Sequence, residues 1–592
     1  MQKITFLILA ALCSISLQAQ DVERLWGTYF GGRIFEASDS AIDSQGNVYV
    51  LGIVYGSALG NNYLSQFASA DALQPQFWGG MCDAFLVKFD SDGEVLWSTF
   101  FGGDFLEYAY GIAIDSTDSV YIAGTTESND LATTGAFMIG HDQPGEEQIG
   151  FIVKFASDGQ RLWSTYFPGW ITDIVCDHED NLYFAGQTER QSGVTSAGAY
   201  QENFLSFPLP FTSILAKNGY LAKFNKNGAR IWSTYYGGAN PLGIDVDADN
   251  NLYVAGLAYE PVEDGHFFAT ENPHQSERSD NFISKFDSNG NRVWSTYFAS
   301  VSHGEYEKAT YTFSLAVEGD YFYMTGYSLE NHSGLLTTSG APQTTISGVS
   351  DIFLQKFTND GTRVWGRLFG GNGEDFIGSF SRLSVRGNSI ILSGNTNSSA
   401  GLATANAFKT NYSGGTQDSF FARFDSDGNR ISTSYYGGSE VELVHGCLQA
   451  TDDEFYLFGS TFSPDGIATA GSHQPLLNTG GIEVPNAENL YLAKFKTIAL
   501  GVATFDTADW ALYPNPGNGV FVLSGNVPAD VQQMQMKIYD NLGREMATDE
   551  IHASSLKIHQ QFDYSGQLST GIYWVKIASG TKVLKTIRLM VK

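Results

Sequence analysis

"EVLWSTFFGGDF", residues 94–105, reads as a strand that ends in a double-glycine turn. Near-copies of its centre recur as LWGTYFGG from Leu25, LWSTYFPG from Leu162, IWSTYYGG from Ile231, VWSTYFAS from Val293, VWGRLFGG from Val364 and ISTSYYGG from Ile431, at intervals of 62–71 residues. A near-constant period of this length marks a repeat array rather than one ordinary core.

Each unit carries two hairpins. After the glycines comes an alternating apolar stretch broken by a polar turn, as in GIAIDSTDSVYIAG (111–124), DIVCDHEDNLYFAG (173–186) and GIDVDADNNLYVAG (243–256). A polar connection follows, and the unit closes with a second hairpin such as FLVKFDSDGEVLWSTF (85–100) or FISKFDSNGNRVWSTY (282–297). Gly93, Gly159, Gly228, Gly290, Gly361 and Gly428 supply the positive φ that such turns need. The expectation is four short antiparallel strands per unit, A to D, in an all-β chain whose residues 22–496 form a seven-bladed β-propeller. The first copy has no strand C before it, and the last strand C, NLYLAKF (489–495), has no WSTYFGG after it. The N-terminal strand is therefore expected to complete the last blade, covering edges that invite aggregation. Trp26, Trp97, Trp163, Trp232, Trp294 and Trp365 share one place in strand D and are read as wedges between blades; Ser432 takes that place in the last copy.

In these features residues 22–496 resemble the SBBP family of bacterial β-propeller repeats. The likeness is clearest in GIAIDSTDSVYIAGTTESNDLATTGAF (111–137) and its echoes GLLTTSGAPQ (334–343) and GLATANAFKT (401–410). Copies 5 and 6, with LAVEGDYFYMTG and LSVRGNSIILSG, lack the Asp of the first four. The resemblance implies a secreted or surface protein, and a fold more than a chemistry. The spacing of Asp90, Gly93 and Trp97 also resembles the tryptophan-docking motif of quinoprotein dehydrogenases. Their eight blades and vicinal cysteines are missing here, so only the packing logic carries over.

The 592 residues include 33 basic and 64 acidic side chains, a net charge of −31. That balance argues against nucleic acid and anionic membranes, which select clustered Lys and Arg, and leaves cations and neutral polymers such as glycans. Residues 1–19 follow the charged, apolar and small-residue order of a secretory signal peptide. No stretch approaches the length of a transmembrane helix. Cys82, Cys176 and Cys447 lie far apart without a CxxC pair and read as small buried hydrophobes.

After an expected linker at 497–510 the chain reads WALYPNPGNGVFVLSG (510–525), MKIYDNLGREM (536–546) and LSTGIYWVKIASGTKVLKTIRLMVK (568–592). Alternation with turns between suggests a small Ig-like β-sandwich over 511–592. This stretch closely resembles the type A C-terminal sorting domain of the type IX secretion system of Bacteroidetes. The matching residues are Pro514, Asn515 and Pro516 in YPNP, Gly543 in YDNLGRE, and Gly571 and Tyr573 in GIYWVKI. The resemblance implies handling by the type IX machinery, a secreted or outer-membrane surface location, and release or attachment to lipopolysaccharide.

No HExxH, GxSxG or Walker loop is present. His266 and His274 share one long connection and read as loop histidines. Asp-rich turns such as Asp90–Gly93 have the chemistry of tight turns and lack the distant Glu of a calcium loop. No catalytic residue, metal or cofactor is assigned. The long connections all join strands B and C and are expected to project around one mouth of the channel, where ligands are usually met. On that face Trp78, Trp170 and Tyr200 are candidates for stacking on sugars, and Asp104 and Glu107 for presenting carboxylates. The leading reading is a non-catalytic surface module that binds a glycan or a protein. A glycan lyase or hydrolase using mouth carboxylates, and a structural adhesion component, are the alternatives.

Overall fold

A computed structural model describes residues 21–592 apart from 33–34, 57–63, 142–144, 146–147, 207–216, 260–266, 300–309, 331–333, 379–382, 481–486, 499–509, 527–533, 542, 552–556 and 580–581. The expected signal peptide and most of the expected linker lie outside the described residues. The chain divides into two compact units, Met1–Ile498 and Ala499–Lys592.

The first unit is an all-β, propeller-like fold. Among the described residues its strands pair into seven antiparallel sheets. The first orders Phe35–Ile42, Val48–Tyr55, Cys82–Phe89 and Val95–Phe101 as strands A to D. The next four follow the same plan, with strands A at Glu107–Ile114, Trp170–Cys176, Ala239–Val246 and Thr310–Glu318. In the sixth, strand A comes in two pieces, Asp375–Phe376 and Ser384–Arg386, both paired with Ser389–Thr396. The seventh sheet joins the two ends of the unit. Glu442–Gln449, Glu454–Thr461 and Asn489–Thr497 are completed by Val22–Phe30, in register from Val22 opposite Thr497 to Phe30 opposite Leu490. Strand A of each sheet packs against strand A of the next, and Glu442–Gln449 packs back against Phe35–Ile42.

A bulge recurs in strand A, between Ala37 and Asp39, Ala109 and Gly111, Ile171 and Asp173, Pro241 and Gly243, Thr312 and Ser314, and Val444 and Gly446. A bulge re-aims the backbone around it. Here the carbonyl one residue upstream turns into strand B, where only glycine leaves room. A Cβ on Gly52, Gly124, Gly186, Gly256, Gly326 or Gly459 would collide with the carbonyl oxygen of Glu36, Tyr108, Trp170, Asn240, Tyr311 or Leu443.

Neighbouring sheets are joined by two repeated contacts. Nε1 of Trp97, Trp163, Trp232, Trp294 and Trp365 donates to a C–D turn carbonyl of the next sheet at 3.0–3.1 Å, and Trp26 reaches Ser91 at 3.2 Å. Each ring lies on the glycine of that turn; a Cβ on Gly93 would sit 2.9 Å from Trp26. Beside the indoles, strand C lysines meet A–B turn aspartates. Lys88–Asp43, Lys154–Asp115, Lys223–Asp177 and Lys285–Asp247 pair at 2.7–3.1 Å, each with the ammonium over a strand B tyrosine. The fifth copy has no such Asp, and Lys356 turns to the Ser426 carbonyl at 3.0 Å and the Tyr321 ring.

The second unit has two antiparallel sheets around one core. Ala511–Tyr513, Val520–Asn526 and Lys557–Asp563 form one; Glu545–Ile551, Met534–Asp540, Gly571–Ser579 and Lys582–Val591 form the other. Phe521, Leu523, Met536, Ile538, Val575 and Ile577 fill the space between them.

Candidate functional site

The B–C connections do not stand clear of the ring. Each turns back along the outer edge of its own sheet. The amides of Ser69, Thr133, Ser196, Thr270, Thr338, Thr404 and Thr469 donate to the strand D carbonyls of Ser98, Ser164, Ser233, Ser295, Gly366, Thr433 and Gly27. Strand D would otherwise be an open edge, and this pairing covers it. One turn of each connection thus follows the outer edge of its own sheet, while Gly79–Gly80 and Gly414–Gly415 pack on the D–A turns at Asp104–Phe105 and Ser439–Glu440. The sequence signal for the docked turn is the recurrent LATTGAF (131–137), VTSAGAY (194–200) and LATANAF (402–408).

Three of the expected site residues fall in one sector. Trp78 is 56% exposed, and its amide donates to Asp83 Oδ2 at 3.0 Å. The Gly79–Gly80 turn that follows packs on the Asp104–Phe105 turn. Asp104 is exposed, but Glu107 is fully buried, accepting from the Gly103 amide at 2.9 Å and Thr126 Oγ1 at 2.6 Å. It presents nothing to solvent. Trp170 lies apart, half-buried, with Nε1 on the Gln148 carbonyl at 3.0 Å and Lys217 Nζ 3.2 Å from its ring centroid. Tyr200 is packed edge-on against Phe286 at 5.7 Å beneath Arg292.

Tyr200 belongs to a series that sequence reading missed. Phe137, Tyr200, His274 and Phe408 end docked turns, and each meets the strand C phenylalanine of the next sheet: Phe224, Phe286, Phe357 and Phe495, at 5.1–5.7 Å. In three of these junctions a strand D arginine covers the ring, Arg230 over Phe137, Arg292 over Tyr200 and Arg24 over Phe408, at 4.9–5.8 Å. Between the fourth and fifth sheets the wedge is the smaller His274, and Arg363 turns to the carbonyls of Gly334 and Leu335. The turn glycine also stands back: a Cβ on Gly361 would lie 3.5 Å from Trp294, against 2.8–3.2 Å at the other five indoles.

The space so opened is a cleft of 440 Å³ lined by Thr270, His274, Trp294, Thr338, Asp360 and Arg363. Its size falls among small-ligand clefts. Burial, then the Arg363 charge, brings the His274 imidazole down to about 4. It is neutral above that and offers one donor and one acceptor. Hydrogen bonds from Thr358 and Thr362 hold the Asp360 carboxyl below its ordinary range. The cleft therefore combines a guanidinium, a carboxylate, a neutral imidazole, threonine hydroxyls and an indole wall. Among the described residues no group of three His, Cys, Asp or Glu side chains is placed to hold a metal ion; His266 lies outside them. Burial pushes the Cys82 and Cys447 thiols up to about 12, away from nucleophilic use.

In the second unit Asn515, between Pro514 and Pro516, donates to the Arg588 carbonyl at 2.6 Å and accepts from the Met590 amide at 2.9 Å. The YPNP turn is thereby tied to the final strand. Gly543 takes a φ of 76° in the turn before Glu545. Gly571 opens its strand, and Tyr573 is buried with its hydroxyl donating to the Ser569 carbonyl at 2.9 Å.

Residues 511–592 match the family model of the secretion system C-terminal sorting domain, which marks proteins exported by type IX secretion and attached at the surface. Over 258 residues the chain is 26% identical to an uncharacterized WD repeat-containing protein, L264, of Acanthamoeba polyphaga mimivirus; the match covers 37% of this chain and 18% of that protein. Among solved structures, the Dos1 propeller is similar at 7% identity and a TM-score of 0.35, covering 78% of this chain and 94% of that one. A protein of unknown function from Dyadobacter fermentans aligns at 8% and 0.35, covering 81% and 100%. A Trypanosoma rangeli sialidase in complex with sialic acid aligns at 8% and 0.33, covering 96% and 88%. No helix among the described residues is long and apolar enough to cross a membrane.

Proposed function

We propose that this chain is a non-catalytic binding module of the cell surface: a seven-bladed propeller of the SBBP kind, closed by its N-terminal strand and delivered by an Ig-like sorting domain. The ligand is a glycan, held in the rim cleft beside His274. The observation that carries this reading is the cleft itself, where an indole wall stands beside hydroxyl, imidazole, carboxylate and guanidinium groups. Neutral hydroxylated rings select that mixture of one flat apolar wall and a few convergent polar groups. A hydrolase would need two reachable carboxylates across a bond. The carboxylates that do meet in this ring, beginning with Asp83 and Glu107, are sealed from solvent, which favours binding over hydrolysis.

The test fills the cleft without cutting the core. His274→Phe gives this junction the wedge that Phe137 and Phe408 give theirs. A glycan panel is screened by thermal shift on the full exported chain. A glycan at 100 times its dissociation constant stabilises the wild type by about 2.7 kcal/mol. The shift is expected to vanish in the variant while its ligand-free melting point stays level or rises. An unchanged glycan shift in the variant would place the ligand elsewhere.

A further inference from the structure

Three double-glycine turns at the ends of strand D share an arrangement that the cleft does not use. At each, a carboxyl from the start of strand C faces a carboxyl from the start of the next sheet's strand A, with the first glycine of the turn against both. The pairs are Asp83 and Glu107 at Gly102, Asp351 and Asp375 at Gly370, and Asp418 and Glu442 at Gly437. All six side chains have no solvent exposure. A Cβ on any of these glycines would collide with at least one oxygen of its pair, and an oxygen of each carboxyl lies within 3.2 Å of that one point.

The hydrogen bonds assign different roles to the two members. Each strand A carboxylate is supplied with donors on both oxygens. Glu107 takes the Gly103 amide and Thr126; Asp375 takes the Gly371 amide at 2.6 Å, Ser398 at 2.9 Å and Thr396; Glu442 takes the Gly438 amide at 2.9 Å and Thr461 at 2.8 Å. Each strand C aspartate has donors on Oδ2 alone: Gln74 and the Trp78 amide for Asp83, Gln343 and the Ser347 amide for Asp351, the Ser413 amide for Asp418. Their Oδ1 atoms, on the side facing the second carboxylate, have no partner. Two buried carboxylates this close cannot both stay ionised. A cation would find one free oxygen per site, far short of the six that calcium needs.

We propose that each pair is closed by a single proton carried on the aspartate Oδ1 and donated to the facing strand A carboxylate, so that three of the seven junctions are proton-locked. The locked hydrogen bond is charge-assisted and sits against the turn that carries the chain from one sheet to the next. Burial and then the Glu107 charge hold Asp83 up at about 8; burial and Asp375 hold Asp351 at about 6; burial raises Asp418 against the Ser413 amide and the Lys409 charge. Other charges face two of the pairs. Asp130 adds negative charge beside Glu107 and Asp83, whereas Lys409 and Asp465 flank the third pair with opposite signs. In the folded chain the proton is held more tightly than in the unfolded chain. The locks therefore stabilise fully at about pH 4 and release as pH rises through about 6 to 8.

The experiment compares the full exported chain with Asp83→Asn/Asp351→Asn/Asp418→Asn, because an amide donates from the Oδ1 position at every pH. The wild-type melting temperature is expected to fall between pH 5 and pH 9 relative to the variant, with up to about three protons released on unfolding near pH 6. Infrared spectra of the folded wild type at pH 6 should show the C=O stretch of protonated carboxyls, absent from the variant and lost at pH 9. Should the triple variant fail to fold, Asp351→Asn alone and the wild-type spectrum decide the matter. A pH-independent gap between variant and wild type, no protonated-carboxyl band at pH 6, or a calcium-dependent rise in wild-type melting that the variant lacks would each overturn the proposal.

Discussion

Replacing Trp26 by alanine tests whether the two ends of the first unit hold each other as firmly as neighbouring sheets do elsewhere. Its indole lies on the Gly93 turn, donates to Ser91 at 3.2 Å and meets Tyr456 at 5.9 Å. Trp163 makes the same contacts within a continuous stretch of chain, with Gly228, with Lys226 at 3.0 Å and with Tyr121 at 5.9 Å. Both indoles are half-buried. Truncating a fully buried tryptophan costs about 3–5 kcal/mol, and partial exposure brings each of these to about 2–3 kcal/mol. The hydrogen bond accounts for about 1 kcal/mol of that, which Trp26→Phe isolates by keeping a ring on the glycine. Urea unfolding, followed by fluorescence and by circular dichroism, reads the loss in the transition of the larger unit. Equal losses for Trp26→Ala and Trp163→Ala are expected. A loss below about 0.5 kcal/mol at Trp26, the range of an ordinary surface change, beside a full loss at Trp163 would refute Val22–Phe30 as the fourth strand of the seventh sheet.

Two further outcomes follow from contacts that recur around the ring. Gly124→Ala pushes a methyl into the Tyr108 carbonyl, whereas a methyl on Gly135 meets nothing within 4 Å and costs only the strain of its φ of 85°. The first should cost about 1–3 kcal/mol or more of stability beyond the second, read by denaturant unfolding; equal effects would remove the close approach as the reason for the strand B glycines. The turn aspartates govern acid stability. Burial alone would raise the carboxyls of Asp115, Asp177 and Asp247, but hydrogen bonds and the paired lysines outweigh it and hold them below the ordinary range. Stability from a lowered carboxyl is present above its unfolded value of about 3.9 and is lost as pH falls through the folded value. The calorimetric gap between wild type and Asp177→Asn should narrow from about pH 5 to about pH 2, and a constant gap would count against the pairing.

The period of the WSTYFGG stretch and its hairpin partners were enough to place the strands, because the two-residue alternation and the turn glycines act locally. The rim was not legible in the same way. A B–C connection is polar and variable, and nothing local says whether it stands in solvent or lies along its own sheet; that depends on strand D being an open edge. The cleft was still harder to see. His274 reads as an ordinary loop histidine until it is aligned with Phe137, Tyr200 and Phe408, and those residues lie in loops of different length. Glu107 was misplaced for a related reason: a carboxyl four residues after a double glycine reads as a solvated turn, and only the pairing with Asp83 and Thr126 puts it inside.

Position 432 shows how an irregular copy can be the most informative one. In six junctions a strand D indole lies on the C–D turn of the next sheet. The seventh sheet has no C–D turn, because its fourth strand, Val22–Phe30, arrives from the other end of the chain. The strand that faces it, Arg430–Tyr436, has no glycine turn on which to lay an indole, and the residue there is a fully buried serine. The strand C cation changes at the same place. Arg423 stands where the other copies have lysine and pairs at 2.7 Å with Asp21, the residue just ahead of the closing strand, whose amide donates to Asn406 at 3.1 Å. Drift in an open array would put a copy without tryptophan at no particular place. A ring closed between strands C and D requires it beside the closure, and that is where Ser432 lies.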